Sequence, residues 1–430
     1  MRSQFVVHYG EVGTKGDNRV VFESALGKNL RASLADLNEV EVRKKNQRFF
    51  VTVDEKDAQE AEQKISAVFG VAWYSKVETA PLSYDSILKT AKELIGRRTP
   101  VVPGAKDTFR VSVRRPNKSF GTSSQDLARK LGEDLVNEFG LGVDLSNPGT
   151  ELFVDVISDR ALLYVSKMKG PGGLPVGVTG RVLHLLSGGI DSPAGAWLMM
   201  KRGCKPVYLH FYLAPTPMSV VESKISGLIQ TLTKFGGGTR LILIPFAPYQ
   251  IATQDLPDDF EPTVFRYFMR LVAERLAEEM DFPAMSTGDN LAQVASQTLH
   301  NLSCMDRGSS VPVLRPLLGY DKDEIIQLAK RIGTYETSLV EYKDCCSIIS
   351  RHPRTRMRWE YVEDSARRFR FGELVSQCIL MGSAVSFAKG PEKPPLVEPL
   401  QTFLDRIEQR KESIRLTRKN QAPRGPMPGE

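Results

Sequence analysis

The stretch from Val182 to Met200 most narrows what this chain can fold into. An apolar run, Val182-Leu183-His184-Leu185-Leu186, leads straight into Ser187-Gly188-Gly189-Ile190-Asp191-Ser192-Pro193. Ala194-Gly195-Ala196-Trp197-Leu198-Met199-Met200 follows with helical character. A strand that turns through small residues into a helix opens a crossover unit, and such units build parallel sheets. From about Gly177 the pattern repeats, with Pro206–Phe211, Leu241–Ile244 and Ala284–Thr287 as further candidate strands. We therefore expect a doubly wound parallel sheet. Glycines let the turn approach an anion closely. The turn and the helix start then present N–H groups to it, and Ser187 and Ser192 add hydroxyl donors. A phosphate is thus expected at Ser187, Gly188, Gly189 and Ser192. No GxxxxGK(S/T) sequence occurs, so the loop is not a standard P-loop.

The upstream half reads differently. Phe5–Tyr9, the helically spaced Val21, Phe22, Leu26, Leu30 and Leu34, the β-branched and aromatic Arg48–Val53 and the helical 58–68 stretch make a small α+β unit. A second unit follows: a helix over 83–95, an alternating strand from Thr108 to Arg115, a helix over 124–139 with Ser123 as N-cap, and strands at Glu151–Val156 and Ala161–Val165. Lys169-Gly170-Pro171-Gly172-Gly173-Leu174-Pro175 is a linker. At roughly 150 residues per domain the length implies about three domains. We divide the chain into 1–77, 78–169, 170–390 and a Pro-rich, basic tail over 391–430, whose last residues from Ala422 are expected to be disordered.

Composition excludes several classes. No apolar run approaches the roughly 18 residues of a membrane span, and the N-terminus lacks a signal-peptide pattern. The five cysteines, Cys204, Cys304, Cys345, Cys346 and Cys378, are odd in number and none lies in the first 200 residues, which fits a reducing cytoplasm rather than a disulfide framework. Without CxxC spacing, zinc ribbons and iron–sulfur clusters are disfavoured, and no protein metal-ligand set is assigned. The net charge of +7 suits an anionic partner. Arg110, Arg114, Arg115 and Lys118 cluster on or just after one strand, with Phe120 able to stack on a base or ribose.

The full Ser-Gly-Gly-Ile-Asp-Ser loop resembles the PP-loop of ATP pyrophosphatases. Further segments resemble one family that carries it. Thr287-Gly288-Asp289-Asn290-Leu291-Ala292-Gln293-Val294-Ala295-Ser296-Gln297, Leu314-Arg315-Pro316-Leu317-Leu318 and Asp321-Lys322-Asp323-Glu324 are similar to the tRNA 4-thiouridine synthetases. So are His8-Tyr9-Gly10-Glu11-Val12 with Lys15-Gly16, the Arg110–Phe120 stretch, which resembles a THUMP domain, and Val143–Pro148. The likeness covers about residues 4 to 360 in the family's domain order. It implies an N-terminal ferredoxin-like domain, a THUMP RNA-binding domain and a PP-loop ATP pyrophosphatase domain. The nucleotide contacts it implies are Leu185, Leu186, the loop residues, His210, Phe211, Arg266, Gly288 and Gln297, with Asp191 assisting metal and pyrophosphate. The chain departs from the family at Asp289-Asn290-Leu291-Ala292, usually Glu-Ser-Leu-Gly, at Phe265-Arg266, usually two arginines, and at Tyr212–Pro217.

Asp344-Cys345-Cys346-Ser347 resembles the family's catalytic-cysteine segment, with Cys346 the sulfur carrier and Cys345 a candidate resolving thiol. The thiolate is the reactive form, and Lys343, Arg351 and His352 stand near to favour it. The implied activity is adenylation of a tRNA uridine, by resemblance position 8, followed by attack of a Cys346 persulfide to give 4-thiouridine. The implied cofactors are ATP and Mg²⁺. The implied partners are tRNA, a cysteine desulfurase or other persulfide donor, and a second copy in a homodimer; no membrane is involved. The tail carries no rhodanese-type cysteine. Two alternatives stay open: a tRNA-binding protein with an inactive ATP site, and an AMP-forming amide ligase.

Overall fold

The computed structural model describes residues 2–97, 108–115, 121–345, 354–388 and 395–421, the last eight of these by backbone alone. Lys118, Phe120, Cys346, Arg351, His352 and the segment from Ala422 lie outside the described residues. The chain forms two compact units, Met1–Gly173 and Leu174–Glu430. No helix among the described residues is long and apolar enough to cross a membrane.

The first unit holds one sheet with helices on one face. Its strands are β1 (Arg2–Tyr9), β2 (Glu41–Lys45), β3 (Arg48–Asp54), β4 (Val71–Ala80), β5 (Thr108–Arg114), β6 (Gly142–Val143), β7 (Thr150–Val156), β8 (Ala161–Tyr164) and β9 (Met168–Lys169). They run in the order β2-β3-β1-β4-β8-β7-β5-β6, with β9 also on β4. Alternate residues of β1 and β3 (Phe5, Val7, Val51, Val53) meet Leu26 and Leu30 of the helix Arg19–Ser33 and Ile65 of Ala58–Ser66 in one core. Phe109, Leu152 and Val154 meet Ile87, Leu131 and Leu135 in a second core. Ser123 caps its helix as expected, accepting from the Asp126 N–H at 3.1 Å. β4 belongs to both halves: residues 71–77 pair with β1, and Glu78–Ala80 pair with β8. β2, Glu41-Val42-Arg43-Lys44-Lys45, has no apolar alternation to announce it. It is an edge strand, and charged residues there discourage further pairing.

The second unit is built on β10 (Arg181–Leu185), β11 (Lys205–Tyr212), β12 (Thr239–Pro245), β13 (Met285–Ser286), β14 (Val313–Leu314), β15 (Ser383–Phe387) and β16 (Leu396–Pro399), ordered β14-β13-β10-β11-β12-β15-β16. The first five strands are parallel, as expected; β15 and β16 add an antiparallel edge. Proline confines β16 to the rim, because it cannot donate to a ladder. The segment that the sequence sets apart as a tail therefore closes this sheet. The helix that follows buries Leu400, Phe403 and Leu404, at helical i, i+3 and i+4 spacing, in the main core. The helix Glu261–Glu279 contributes Phe265, Phe268 and Val272 to the same core. Chain order reverses at β10, which has β11 on one side and β13 on the other. In doubly wound sheets such a switch point opens a crevice at the strand ends.

Candidate active site

At that switch point β10 ends at Leu185, and the helix Asp191–Lys201 begins after the turn. The turn is tied by its own side chains. Ser192 Oγ accepts from the Ser187 N–H at 2.8 Å and donates to the Ser187 carbonyl at 3.1 Å, and Ser187 Oγ accepts from the Gly189 N–H at 3.3 Å. The Gly188 N–H instead reaches Asp344 Oδ2 at 2.8 Å. Gly288 is fixed by space: a Cβ there would lie 2.5 Å from Ser192 Cα, whereas one on Gly188 would meet only the movable end of the Lys224 side chain, at 2.7 Å from Cε.

Buried histidines align the strands. His184 bonds Ser286 Oγ and the Ser192 carbonyl, both at 2.8 Å, stitching β10 to β13 and to the helix start. Burial pushes its pKa down to about 4, so it is neutral near pH 7. His210 bonds the Leu186 carbonyl through Nδ1 and the Tyr342 hydroxyl through Nε2, each at 2.8 Å. A carbonyl only accepts, which assigns the proton to Nδ1 and makes Nε2 the acceptor of the Tyr342 hydroxyl. Burial also lowers this histidine's pKa.

A cavity of about 560 Å³ opens beside the turn. Every nucleotide contact expected from the sequence lines it: Leu185, Leu186, Ser187, Gly188, Gly189, Asp191, Ser192, His210, Phe211, Arg266, Gly288 and Gln297. The structure adds residues that the sequence did not name as nucleotide contacts: Lys224, Asp289, Arg315, Tyr342 and Asp344 also line the wall. Asp289 is the hub of one side. It accepts from Arg266, from Arg315 Nε at 3.1 Å and from Gln297 Nε2 at 3.3 Å. Burial pushes its carboxyl up, but the two guanidiniums outweigh this and hold it down at about 2. Arg315 also grips Asp306 through both terminal nitrogens, at 2.6 and 2.7 Å. Asp191 faces the cavity with Lys322 Nζ on one oxygen at 2.6 Å and Gln293 Nε2 on the other at 2.7 Å. These partners lie roughly a hundred or more residues from Asp191, so no local pattern points to them.

Cys345 is buried on the cavity wall, and its thiol donates to the Phe211 carbonyl at 3.2 Å. Cys378 is buried and inert, its pKa pushed up to about 12 by desolvation, and burial likewise raises Cys304. Among the described cysteines, Cys345 is the one that lines the cavity.

In the first unit, Arg110 pairs with Glu151 at 2.8 Å and donates to the Leu145 carbonyl at 2.8 Å. Arg115 donates to the Thr122 carbonyl. Arg110 and Arg114, at even spacing on β5, both act on Lys167, whose pKa falls first through burial and then through these guanidiniums. Lys167 Nζ lies 3.5 Å above the Phe153 ring, and His8 stacks on Trp73 at 3.9 Å. Aromatic and basic groups thus interleave beside the expected arginines, an arrangement that suits stacked bases and phosphates. Trp73, Phe153 and Lys167 come from separate strands or loops, which hid the grouping in the sequence.

The sheet, the glycine turn at its switch point and the guanidinium-lined cavity define a nucleotide-handling α/β enzyme attached to an α+β unit. Residues 4–75 match the ThiI ferredoxin-like domain, 82–166 the THUMP domain and 177–371 the family described as thiamine biosynthesis protein (ThiI). The probable tRNA sulfurtransferase of Moorella thermoacetica is 38% identical over 382 residues, covering 88% of this chain and 96% of the relative. That of Brevibacillus brevis is 36% identical over 354 residues, covering 82% and 88%. A solved 4-thiouridine synthetase, crystallised with RNA and bound ATP, superposes with a TM-score of 0.81 at 31% identity, covering 90% of this chain and 100% of that one. A Pyrococcus horikoshii protein, PH1313, superposes with a TM-score of 0.61 at 25% identity, covering 77% and 99%. The chain belongs to the tRNA sulfurtransferase (ThiI) family.

Proposed function

We propose that this protein is an ATP-dependent tRNA sulfurtransferase that converts the uridine at position 8 to 4-thiouridine, with Cys346 carrying the sulfur. The observation that carries this reading is the convergence of the Ser187–Ser192 turn, the Asp289-held arginines and Cys345, next in sequence to Cys346, on one cavity. It is supported by the family, and by the RNA and ATP bound to a related synthetase.

The chemistry follows from the site. The uridine C4 oxygen attacks the α-phosphorus of ATP and pyrophosphate leaves, so a poor leaving oxygen becomes part of a good one, AMP. Arg266 and Arg315, fixed by Asp289, stand where developing phosphate charge needs compensation. Asp191 is the carboxylate that would hold Mg²⁺ against the polyphosphate once Lys322 and Gln293 release its oxygens, and the cation would neutralise phosphate charge there. The terminal persulfide sulfur on Cys346 then attacks C4, and AMP departs. A second thiol attacks the Cys346 sulfur, breaks the S–S bond and leaves the sulfur on the base; the disulfide so formed is reduced by an external thiol. Cys345 could serve as that second thiol only after leaving its bond to Phe211. The base has to leave its stack to enter the cavity. The first unit, with Arg110, Arg114 and Arg115 and, beyond the described residues, Lys118 and Phe120, holds the tRNA by shape and phosphate charge. A cysteine desulfurase or another persulfide carrier supplies sulfur, the protein works in the cytoplasm, and it acts as a homodimer.

The test is Cys346→Ser with an unmodified tRNA transcript, Mg-ATP and a sulfur donor. Thiolated, mercury-retarded tRNA should disappear while tRNA-dependent pyrophosphate release continues. Loss of both activities in a folded variant would reject this division of labour. Pyrophosphate release without tRNA would favour an amide ligase.

A further inference from the structure

The donor that should receive a phosphate already holds a carboxylate. Among the loop amides, Ser187 and Gly189 bond hydroxyls of the turn itself. The Gly188 N–H crosses the fold to Asp344 Oδ2, 156 residues away, at 2.8 Å. The backbone around Asp344 is fastened on both sides. Tyr342 donates to His210, and the Cys345 thiol donates to the Phe211 carbonyl. Just upstream, Lys224 Nζ donates to the carbonyls of Ser338 and Val340, both at 2.7 Å. Asp344 therefore meets Gly188 from a segment anchored to the walls of the same cavity.

A carboxylate oxygen is the closest protein counterpart of a phosphate oxygen, and both suit backbone N–H groups at a helix-start turn. Gly188 has a single N–H to give. Two anions cannot share it at hydrogen-bond distance without strong repulsion.

We propose that Asp344 is a positioning residue that occupies the phosphate subsite at Gly188 until nucleotide displaces it, and so sets the affinity of the loop for phosphate groups. The proposal rests on the reading that this loop takes ATP. Asp344 keeps the Gly188 N–H satisfied while the cavity is free, which avoids leaving a buried donor without a partner. It also competes with pyrophosphate after the adenylation step, which favours release of that product. The anchors at Tyr342 and Cys345 limit the displacement to the Asp344 side chain and its immediate backbone.

The experiment is calorimetric titration of the full chain with ATP, with magnesium pyrophosphate and with adenosine, for the wild type, Asp344→Asn and Asp344→Glu. Asp344→Asn keeps the shape and removes the charge. It should bind ATP and pyrophosphate roughly three- to tenfold more tightly, the range of one charge-assisted contact, with adenosine affinity unchanged. Asp344→Glu should return phosphate affinity toward wild type. A folded Asp344→Asn protein with unchanged or weaker phosphate affinity overturns the proposal. So does an equal gain for adenosine, which would mean a loosened cavity rather than relieved competition. If Asp344→Asn does not fold, Asp344→Ser is read by the same criteria. A wild type that binds ATP and pyrophosphate but thiolates no tRNA sinks the functional reading and leaves this one standing. A wild type that binds neither sinks both.

Discussion

Lys322 donates its ammonium to Asp191 at 2.6 Å, joining the first residues of two helices 131 positions apart. A cation at a helix start opposes the helix dipole, and here Asp191 joins Asp321, Asp323 and Glu324 of the same helix start in offsetting it. Both side chains keep some contact with solvent, so the pair is worth at most about 1 kcal/mol of stability. Lys322→Ala should therefore leave the melting temperature within about 2 °C while slowing tRNA thiolation by roughly tenfold or more. Thermal melts and mercury-gel rates on one preparation check both halves. A large fall in melting temperature with full activity would mean the pair is structural.

Asp289 should behave in the opposite way, because it is buried between two guanidiniums. Asp289→Asn leaves Arg266 and Arg315 facing each other without their shared anion. We expect a loss of about 2–4 kcal/mol in urea unfolding and a weaker ATP affinity. The pH dependence has a definite sign. The folded pKa of about 2 lies below the roughly 3.9 of an unfolded aspartate. The contribution of Asp289 is thus complete above the unfolded value and is lost as pH falls from about 4 toward 2. Unfolding midpoints of wild type and Asp289→Asn, measured across that window, should converge at its acid end.

His184 titrates in a milder range. Its folded pKa of about 4 lies below the ordinary 6.5 because burial disfavours the imidazolium. Between those values the unfolded chain binds the extra proton, so stability rises with pH across the window and falls on acidification. His184→Asn should flatten the unfolding midpoint between pH 4 and 6.5 relative to wild type. An unchanged slope would show that His184 is not the group responsible.

Gly288→Ala is a steric test of the switch point. The added methyl meets the Ser192 backbone at 2.5 Å, which cannot yield without moving the start of the helix behind the turn. ATP binding should fall by at least tenfold, an effect of the size expected when loop geometry shifts by an ångström. Titration with ATP beside a circular dichroism spectrum separates this from general unfolding.

For the first unit, proposed to hold tRNA, Arg114→Ala should weaken tRNA binding and reduce the slope of log K against log salt by about 0.7–0.9, the signature of one lost phosphate contact. Filter binding at several salt concentrations measures it. An unchanged slope would remove Arg114 from the interface.

The legible part of this molecule was its local part. The strand, small-residue turn and helix around Ser187–Ser192 were visible because they are contiguous, and all the nucleotide contacts inferred by resemblance came to line one cavity. Asp344 on Gly188, Lys322 on Asp191 and Asp306 on Arg315 depend on which loops the fold brings together, and nothing in local spacing records that. β2 escaped notice for a different reason. Its alternation is charged rather than apolar, because one of its edges has no partner strand. β16 was hidden in a segment whose prolines read as a tail, although proline is tolerated in the outermost strand, and β15, just before that segment, went unread with it.

The double use of β4 limits how this protein can be taken apart. A fragment begun after Val77 would keep the three residues that pair with β8 but lose the part of β4 that pairs with β1, so the sheet would end on a three-residue strand with an open hydrogen-bonding edge. One ended there would remove the three residues through which β4 meets β8. Neither piece would keep the sheet that the whole unit shares, so an isolated fragment of this unit should begin at β1 or fail by aggregation.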